Sequence, residues 1–189
     1  MTGEERDDEF EHRRINLEPR DPNYRRSTTL TTAVTNARSI APKIDSVIMN
    51  FECLQLDCLI VTETWLTKGP VKDNALDRLM GEAGVHAITG DRRGRGGGVA
   101  ILFRSSTITL KEYHIRRKRH EIVAAKGTSP KIGGTIFILG VYVKPSLPAF
   151  KKEEIIDILI DSVNEIKIKE ENAKVIIAGD FNRLSLIHI

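Results

Sequence analysis

The stretch Lys174–Asn182, KVIIAGDFN, decides the fold. Val175, Ile176, Ile177 and Ala178 make a continuous apolar run, the pattern of a short strand covered on both faces. A Gly-Asp pair closes the run, so the strand delivers Gly179, Asp180, Phe181 and Asn182 at its carboxyl end. In α/β folds the groups that do chemistry lie in the crevice beyond the carboxyl ends of the strands. An acid and an amide at that place therefore read as a site, although GDFN taken alone reads equally well as an Asp/Gly turn.

Upstream, Lys151–Glu171 predicts a long amphipathic helix with Ile155, Ile156, Leu159, Ile160, Val163 and Ile166 inward. Thr135–Val143 reads as a strand that passes through Gly140 to Tyr142, with Pro145 and Pro148 ending it. Glu121–Ala125 is a shorter strand, and Ile108–Tyr113 is expected to form a hairpin with Val99–Phe103. The basic, glycine-rich segment Asp91–Gly98, DRRGRGGG, opens directly into Val99–Phe103. A phosphate-binding P-loop would run from strand to helix and carry a Lys-Ser/Thr pair, which this segment lacks, so it reads as a hairpin turn. Asp73–Gly84, with a capping acid and a closing glycine, predicts a short helix, and Val85–Thr89 a brief extended piece.

Nearer the start, Cys58–Thr62, CLIVT, is a second buried strand, and it delivers Glu63, Thr64, Trp65 and Leu66. A helix that starts at Ser39 and Pro42 and ends near Leu56–Asp57 precedes it, with Ile44, Val47, Ile48, Phe51 and Leu54 at helical spacing. Leu30–Thr35 is a β-prone run that ends on Asn36. The order β-α-β-α, several adjacent strands, then α-β argues for a layered α/β domain with mixed sheets.

Composition narrows the class. A chain of 189 residues, 40% hydrophobic, suits one ordinary domain, with residues 1–28 as a charged, disordered tail. The net charge of +3 does not define a polyanionic partner by itself. Cys53 and Cys58 are too few for a disulfide scaffold and lack zinc-ligand spacing. No apolar run approaches the roughly 20 residues of a membrane span, and the charged start has no signal-peptide core. The expected setting is intracellular, without a membrane.

Asn36, Glu63 and the pair Asp180 and Asn182 thus fall at the ends of three predicted strands, with Tyr142 as a fourth position. Each also has a bland reading: Asn36 as a turn former, Glu63 as a solvated acid, Tyr142 as a half-buried aromatic. Trp65, the only tryptophan, reads as packing against the sheet edge, and His114 and His120 as surface residues.

The segments TNARSI, TETWL, GRGGGVAILF, VYVKPS and AGDFN, in this order and spacing, resemble the endonuclease/exonuclease/phosphatase superfamily. TETWL and NARSI are most similar to the endonuclease domain of non-LTR (LINE-type) retrotransposons. The resemblance covers about Leu30–Asn182 and implies a DNase I-like four-layer α/β sandwich that cleaves phosphoesters with Mg2+ or Mn2+. Position by position, it implies that Glu63 binds the metal with Asn36 beside it, and that Tyr142 stands near the scissile phosphate. It implies that Asp180 orients or deprotonates the attacking water and that Asn182 holds the phosphate. DNA is the implied partner, the nucleus the implied location, and a reverse transcriptase domain an implied companion in a full-length element. Arg92, Arg93 and Arg95, with Arg116 and Arg117, are candidate DNA-phosphate contacts; solvated loops are an equal reading of them.

One departure from the family bears on activity. The family pattern carries a late aspartate and a Ser-Asp-His segment, whereas RLSLIHI follows Asn182 here. The expectation is a C-terminally truncated domain over residues 29–182, with 183–189 outside the family pattern and little activity in the chain alone. Two competing readings remain: a phosphatase of the same scaffold acting on a small molecule or lipid, and a non-catalytic remnant that binds nucleic acid.

Overall fold

Side-chain alternation along the strands sorts the chain into layers. The computed structural model describes residues 28–90, 96–116 and 122–182. The expected N-terminal tail up to residue 27, Arg92, Arg93, Arg95, Arg117, His120 and residues 183–189 lie outside them. The order is β1 (Thr32–Asn36), a 3-10 turn (Ala41–Lys43), α1 (Ile44–Cys53), β2 (Cys58–Thr62), α2 (Pro70–Ala83), β3 (Val85–Gly90) and β4 (Val99–Arg104). Then come β5 (Thr109–Glu112), β6 (Ile122–Thr128), β7 (Thr135–Tyr142), α3 (Ala149–Lys169) and β8 (Lys174–Asp180). Two four-stranded mixed sheets result, ordered β1-β2-β4-β3 and β5-β6-β7-β8. Each contains one parallel pair, β1 with β2 and β7 with β8.

In β2 the period-2 rule turns Leu59 and Val61 toward the helices, where they pack with Ile44, Val47 and Phe51 of α1 and Leu79 of α2. Cys58 and Ile60 face the other sheet and meet Val99, Ile101, Ile136 and Ile138. In β7 the same alternation sends Phe137, Leu139 and Val141 to Ile155, Ile158 and Ile166 of α3. Ile136, Ile138 and Tyr142 stay between the sheets. Helix, sheet, sheet and helix are therefore stacked in four layers, the DNase I-like α/β sandwich that the resemblance implies.

The structure revises several local expectations. Ile108–Tyr113 is not the hairpin partner of β4: β5 crosses to the second sheet and pairs with β6, Thr109 opposite Thr128. The hairpin partner of β4 is β3, which registers Gly90 against Val99 across the glycine-rich segment. Nor is β8 covered on both faces. It is an edge strand among the described residues, and Ile177 is 39% exposed. On α3, Ile158 rather than Ile160 is buried, because the helix rotates its stripe onto β7 and leaves Ile160 53% exposed. The second helix starts at Pro70, ahead of Asp73, where proline's missing N–H costs nothing. It ends as expected on Gly84 in the left-handed conformation.

At the end of the sandwich where β2 begins, Asp57 is 1% exposed, and both its carboxylate oxygens accept from Lys131 Nζ, at 2.6 and 2.8 Å. Oδ2 also accepts from the Thr31 backbone N–H at 2.8 Å. Asp57 precedes β2 and Lys131 follows β6, so this buried pair ties one sheet to the other. Removing one partner of such a pair strands a buried charge, typically at 3–5 kcal/mol. Lys131→Met is therefore expected to lower unfolding free energy by about 3 kcal/mol in urea titrations, with Asp57→Asn in the same background recovering part of the loss.

The two cysteines differ sharply: Cys53 is exposed and Cys58 buried. Burial, reinforced by the neighbouring Asp57 carboxylate, pushes the Cys58 thiol from 9.0 up to about 12. Because the unfolded thiol ionises first, the stability gained by keeping Cys58 neutral is complete below pH 9 and is lost as pH rises from 9 toward 12. At pH 8 a thiol-specific chromogenic reagent is expected to titrate Cys53 alone in the native chain, and both thiols after denaturation.

Candidate active site

Parallel pairing decides where the strand-end residues meet. A parallel pair releases both its chains at the same end. Asn36 is the last residue of β1 and registers against Thr62, so Glu63 leaves β2 beside it. Tyr142 and Asp180 end β7 and β8 in register with each other. β1 and β8 face across the sandwich, which brings the two ends into one mouth.

There the Asn36 Nδ2 group donates to Glu63 Oε1 and to Asp180 Oδ2, each at 2.9 Å. An amide nitrogen has two hydrogens, so one goes to each carboxylate. Asn36 Oδ1 accepts from the Arg38 backbone N–H at 3.2 Å, and that contact fixes which way round the amide stands. The Tyr142 hydroxyl donates to Glu63 Oε1 at 3.0 Å. Asp180 Oδ1 accepts from the Asn182 backbone N–H at 3.2 Å. Asn36, Glu63, Tyr142 and Asp180 thus form one hydrogen-bonded cluster, with Asn182 joined through its backbone.

The surrounding backbone holds this geometry. Ala37, Ser39 and Ile40 donate their N–H groups to the carbonyls of Thr62, Glu63 and Thr64 at 2.9, 2.9 and 3.1 Å. From the other side Thr64 and Trp65 donate to the carbonyls of Gly98 and Gly97 at 3.3 and 2.9 Å. The segment 62–65 is therefore bonded on both flanks, as a central strand would be. On β8, Gly179 has φ 153°, and a Cβ there would lie 1.9 Å from the Val141 carbonyl oxygen. Only glycine lets β8 approach β7 closely enough to aim Asp180 into the mouth. Gly179→Ala is expected to lower stability by roughly 3 kcal/mol through strain and overpacking. Thermal unfolding measures the loss.

The other candidate residues lie elsewhere. Arg116 stands on the outer side of the second sheet, its Nε 3.4 Å from Glu165 of α3. His114 is exposed, as expected, and faces Glu112 at 3.6 Å, while His86 stacks on Phe103. Trp65, expected to pack against the sheet edge, is 42% exposed, two residues beyond Glu63. Burial alternates along Glu63–Leu66, a pattern that the residue types there do not display.

The sequence profile of the Endonuclease/Exonuclease/phosphatase family matches residues 14–185. The chain belongs to this family. A search of curated protein sequences returns no match. Among solved structures, D. rerio TDP2 complexed with single strand DNA product superposes with TM-score 0.58 at 16% identity, over 83% of this chain and 62% of that one. The 3′ phosphatase NExo from Neisseria, bound to product DNA hairpin, gives 0.57 at 20% identity, over 81% and 57%. The human Nocturnin catalytic domain with bound sulfate anion gives 0.56 at 16%, over 79% and 63%. At these identities the likeness is one of fold, and the chain spans less than two thirds of each of these structures.

Proposed function

We propose that the chain is a metal-dependent phosphoesterase domain that hydrolyses a DNA phosphodiester, of the kind that nicks the target site of a non-LTR retrotransposon. The observation that carries this reading is the cluster itself, in which the Asn36 amide bridges the Glu63 and Asp180 carboxylates at 2.9 Å each. Family membership supplies the reaction class. DNA as the substrate draws support from the DNA-bound TDP2 and NExo structures and from the basic sequence of Arg92, Arg93 and Arg95. In that setting the protein works in the nucleus beside a reverse transcriptase.

The donors present fit a hard cation. All side-chain groups in the cluster are oxygen or amide groups, and among the described residues no set of three His, Cys, Asp or Glu is placed to hold an ion. Such a sparse set suits Mg2+, which keeps several waters and binds through one or two carboxylates plus substrate phosphate. Glu63 would hold the ion, and Asn36, whose Nδ2 faces the carboxylates here, would join it only with its Oδ1 turned inward. When bound, the ion neutralises charge on the phosphate and on the leaving oxygen.

The chain's own groups do the rest. Asp180 has one lone pair on Oδ2 engaged by Asn36 and one on Oδ1 engaged by the Asn182 N–H. A carboxylate oxygen accepts more than one hydrogen bond, so Asp180 keeps capacity to take a proton from the attacking water. Asn182, next to it, holds the phosphate. The Tyr142 hydroxyl, whose one hydrogen goes to Glu63 Oε1 in this arrangement, would turn it to a phosphate oxygen as charge develops there.

Of the described histidines, His86 stacks on Phe103 and His114 faces Glu112. The test is single-turnover nicking of supercoiled plasmid with excess protein. Nicked circles should accumulate with Mg2+ and not with a chelator, and Asp180→Ala should reduce the rate a further hundredfold or more. Cleavage that survives both Asp180→Ala and Glu63→Ala would refute the assignment. Turnover of short phosphomonoesters with none of duplex DNA would favour the phosphatase reading instead.

A further inference from the structure

The only tryptophan of the chain is displayed at the mouth in a way that its local sequence does not require. Along Glu63–Leu66 burial alternates: Glu63 is half-buried, Thr64 is 2% exposed, Trp65 42% and Leu66 5%. Glu63, the residue that enters the cluster, and Trp65 are therefore the two residues of this segment that are not buried. Two residues of chain span at most about 7 Å, so the Glu63 and Trp65 backbones stand within about one nucleotide step of each other.

The backbone beneath it is costly to build and firmly held. Glu63 and Trp65 both have φ 52°, a left-handed conformation that is uncommon for a bulky L-residue. Strain of this kind persists only where the surroundings over-determine it, and it gathers at functional sites. Here Trp65 N donates to the Gly97 carbonyl, and Leu66 N lies 3.4 Å from Thr64 Oγ1. Gly98 presses so closely on this turn that a Cβ on it would stand 2.5 Å from Thr64 Oγ1. An exposed indole on a rigid strained turn is a preorganised flat apolar surface, and its immediate neighbours are acids and amides that suit phosphate chemistry. The ligand that combines a phosphate with a flat aromatic group one step away is a nucleotide.

We propose that Trp65 stacks on an unpaired nucleobase next to the phosphate held at Asn36, Glu63 and Asp180. The substrate strand is accordingly single-stranded or locally opened at that base. Stacking reads the face that every base has, so it binds strongly without choosing a sequence. This inference rests on the phosphoesterase reading of the cluster and adds the state of the strand that the cluster accepts.

Because Trp65 is the sole tryptophan, the intact chain reports on itself. Two fluorescein-labelled 12-mers serve as probes in the presence of Ca2+, a hard cation with oxygen ligands that offsets the charge of the two carboxylates: oligothymidylate, and an oligomer of the same length made wholly of abasic deoxyribose units. Binding is followed by fluorescein anisotropy and, with unlabelled copies, stacking by tryptophan emission. The expected result is quenching by oligothymidylate and none by the abasic strand. Trp65→Ala should weaken oligothymidylate binding roughly tenfold, leave the abasic strand unaffected, and be partly compensated by Trp65→Phe. Oligothymidylate that binds without changing tryptophan emission, or with equal affinity to Trp65→Ala, overturns the proposal, as does failure of both strands to bind. Base-dependent quenching without any Asp180-dependent cleavage would uphold the stacking surface and remove the enzymatic reading. Asp180-dependent cleavage without quenching would do the reverse.

Discussion

Two parallel strand pairs that end at the same mouth are the constraint on which the rest of this structure depends. β1 with β2, and β7 with β8, release four chain ends together, and those ends carry Asn36, Glu63, Tyr142 and Asp180. Gathering Glu63 and Asp180 in one place concentrates negative charge, and like charges at close range repel. The fold answers with donors from the same strand ends: the two hydrogens of the Asn36 amide, the Tyr142 hydroxyl and the Asn182 N–H. Charge, partner and position therefore come from one topological feature, and none of the four residues needs a long loop to reach the others.

The backbone of the mouth is strained in a concentrated way. Six non-glycine residues among those described have positive φ: Arg38, Ser39, Gln55, Glu63, Trp65 and Asn182. All but Gln55 flank the cluster. Each such residue costs on the order of 1–3 kcal/mol, which the rest of the fold must offset. Two buried layers against helices and a third between the sheets supply that surplus. At the far end the Asp57–Lys131 pair fixes how the sheets sit on one another, and so where the opposite mouth lies.

Strand-end chemistry was legible in the sequence because punctuation marks it. CLIVT followed by Glu, and KVIIA followed by Gly-Asp, are apolar runs that stop on a carboxylate, and both acids reach the cluster. Sheet membership was not legible. Ile108–Tyr113 alternates in the same way whether it pairs with β4 or β6, and only tertiary packing sends it to β6. Likewise an apolar run such as Val175–Ala178 looks alike on a central strand and on an edge, since periodicity is blind to the number of neighbours. The exposure of Trp65 was not legible for a related reason: an aromatic beside an apolar strand is expected to pack on the sheet edge, and residue type does not reveal the backbone course that the bonds from Thr64 and Trp65 to Gly98 and Gly97 hold here.

These two halves of the mouth are unequally supported. The Glu63 side sits on a segment bonded on both flanks, by residues 37–40 and by Gly97 and Gly98. The Asp180 side sits on β8, which among the described residues pairs with β7 alone. Opening an edge strand breaks one ladder of hydrogen bonds where a central strand would break two, so its local stability is lower. Phe181, just past β8, packs against the apolar cluster that includes Ile155, Ile158 and Leu159 of α3, and this contact adds part of the support a second neighbour would give, while Ile177 lines an open apolar groove. The metal-side acid is thus held in a fixed frame while the proposed base rides on the softer strand. It follows that whatever steadies β8, whether its packing on α3 or the Gly179 approach to Val141, governs the alignment of Asp180 with Asn36 more directly than any residue inside the cluster.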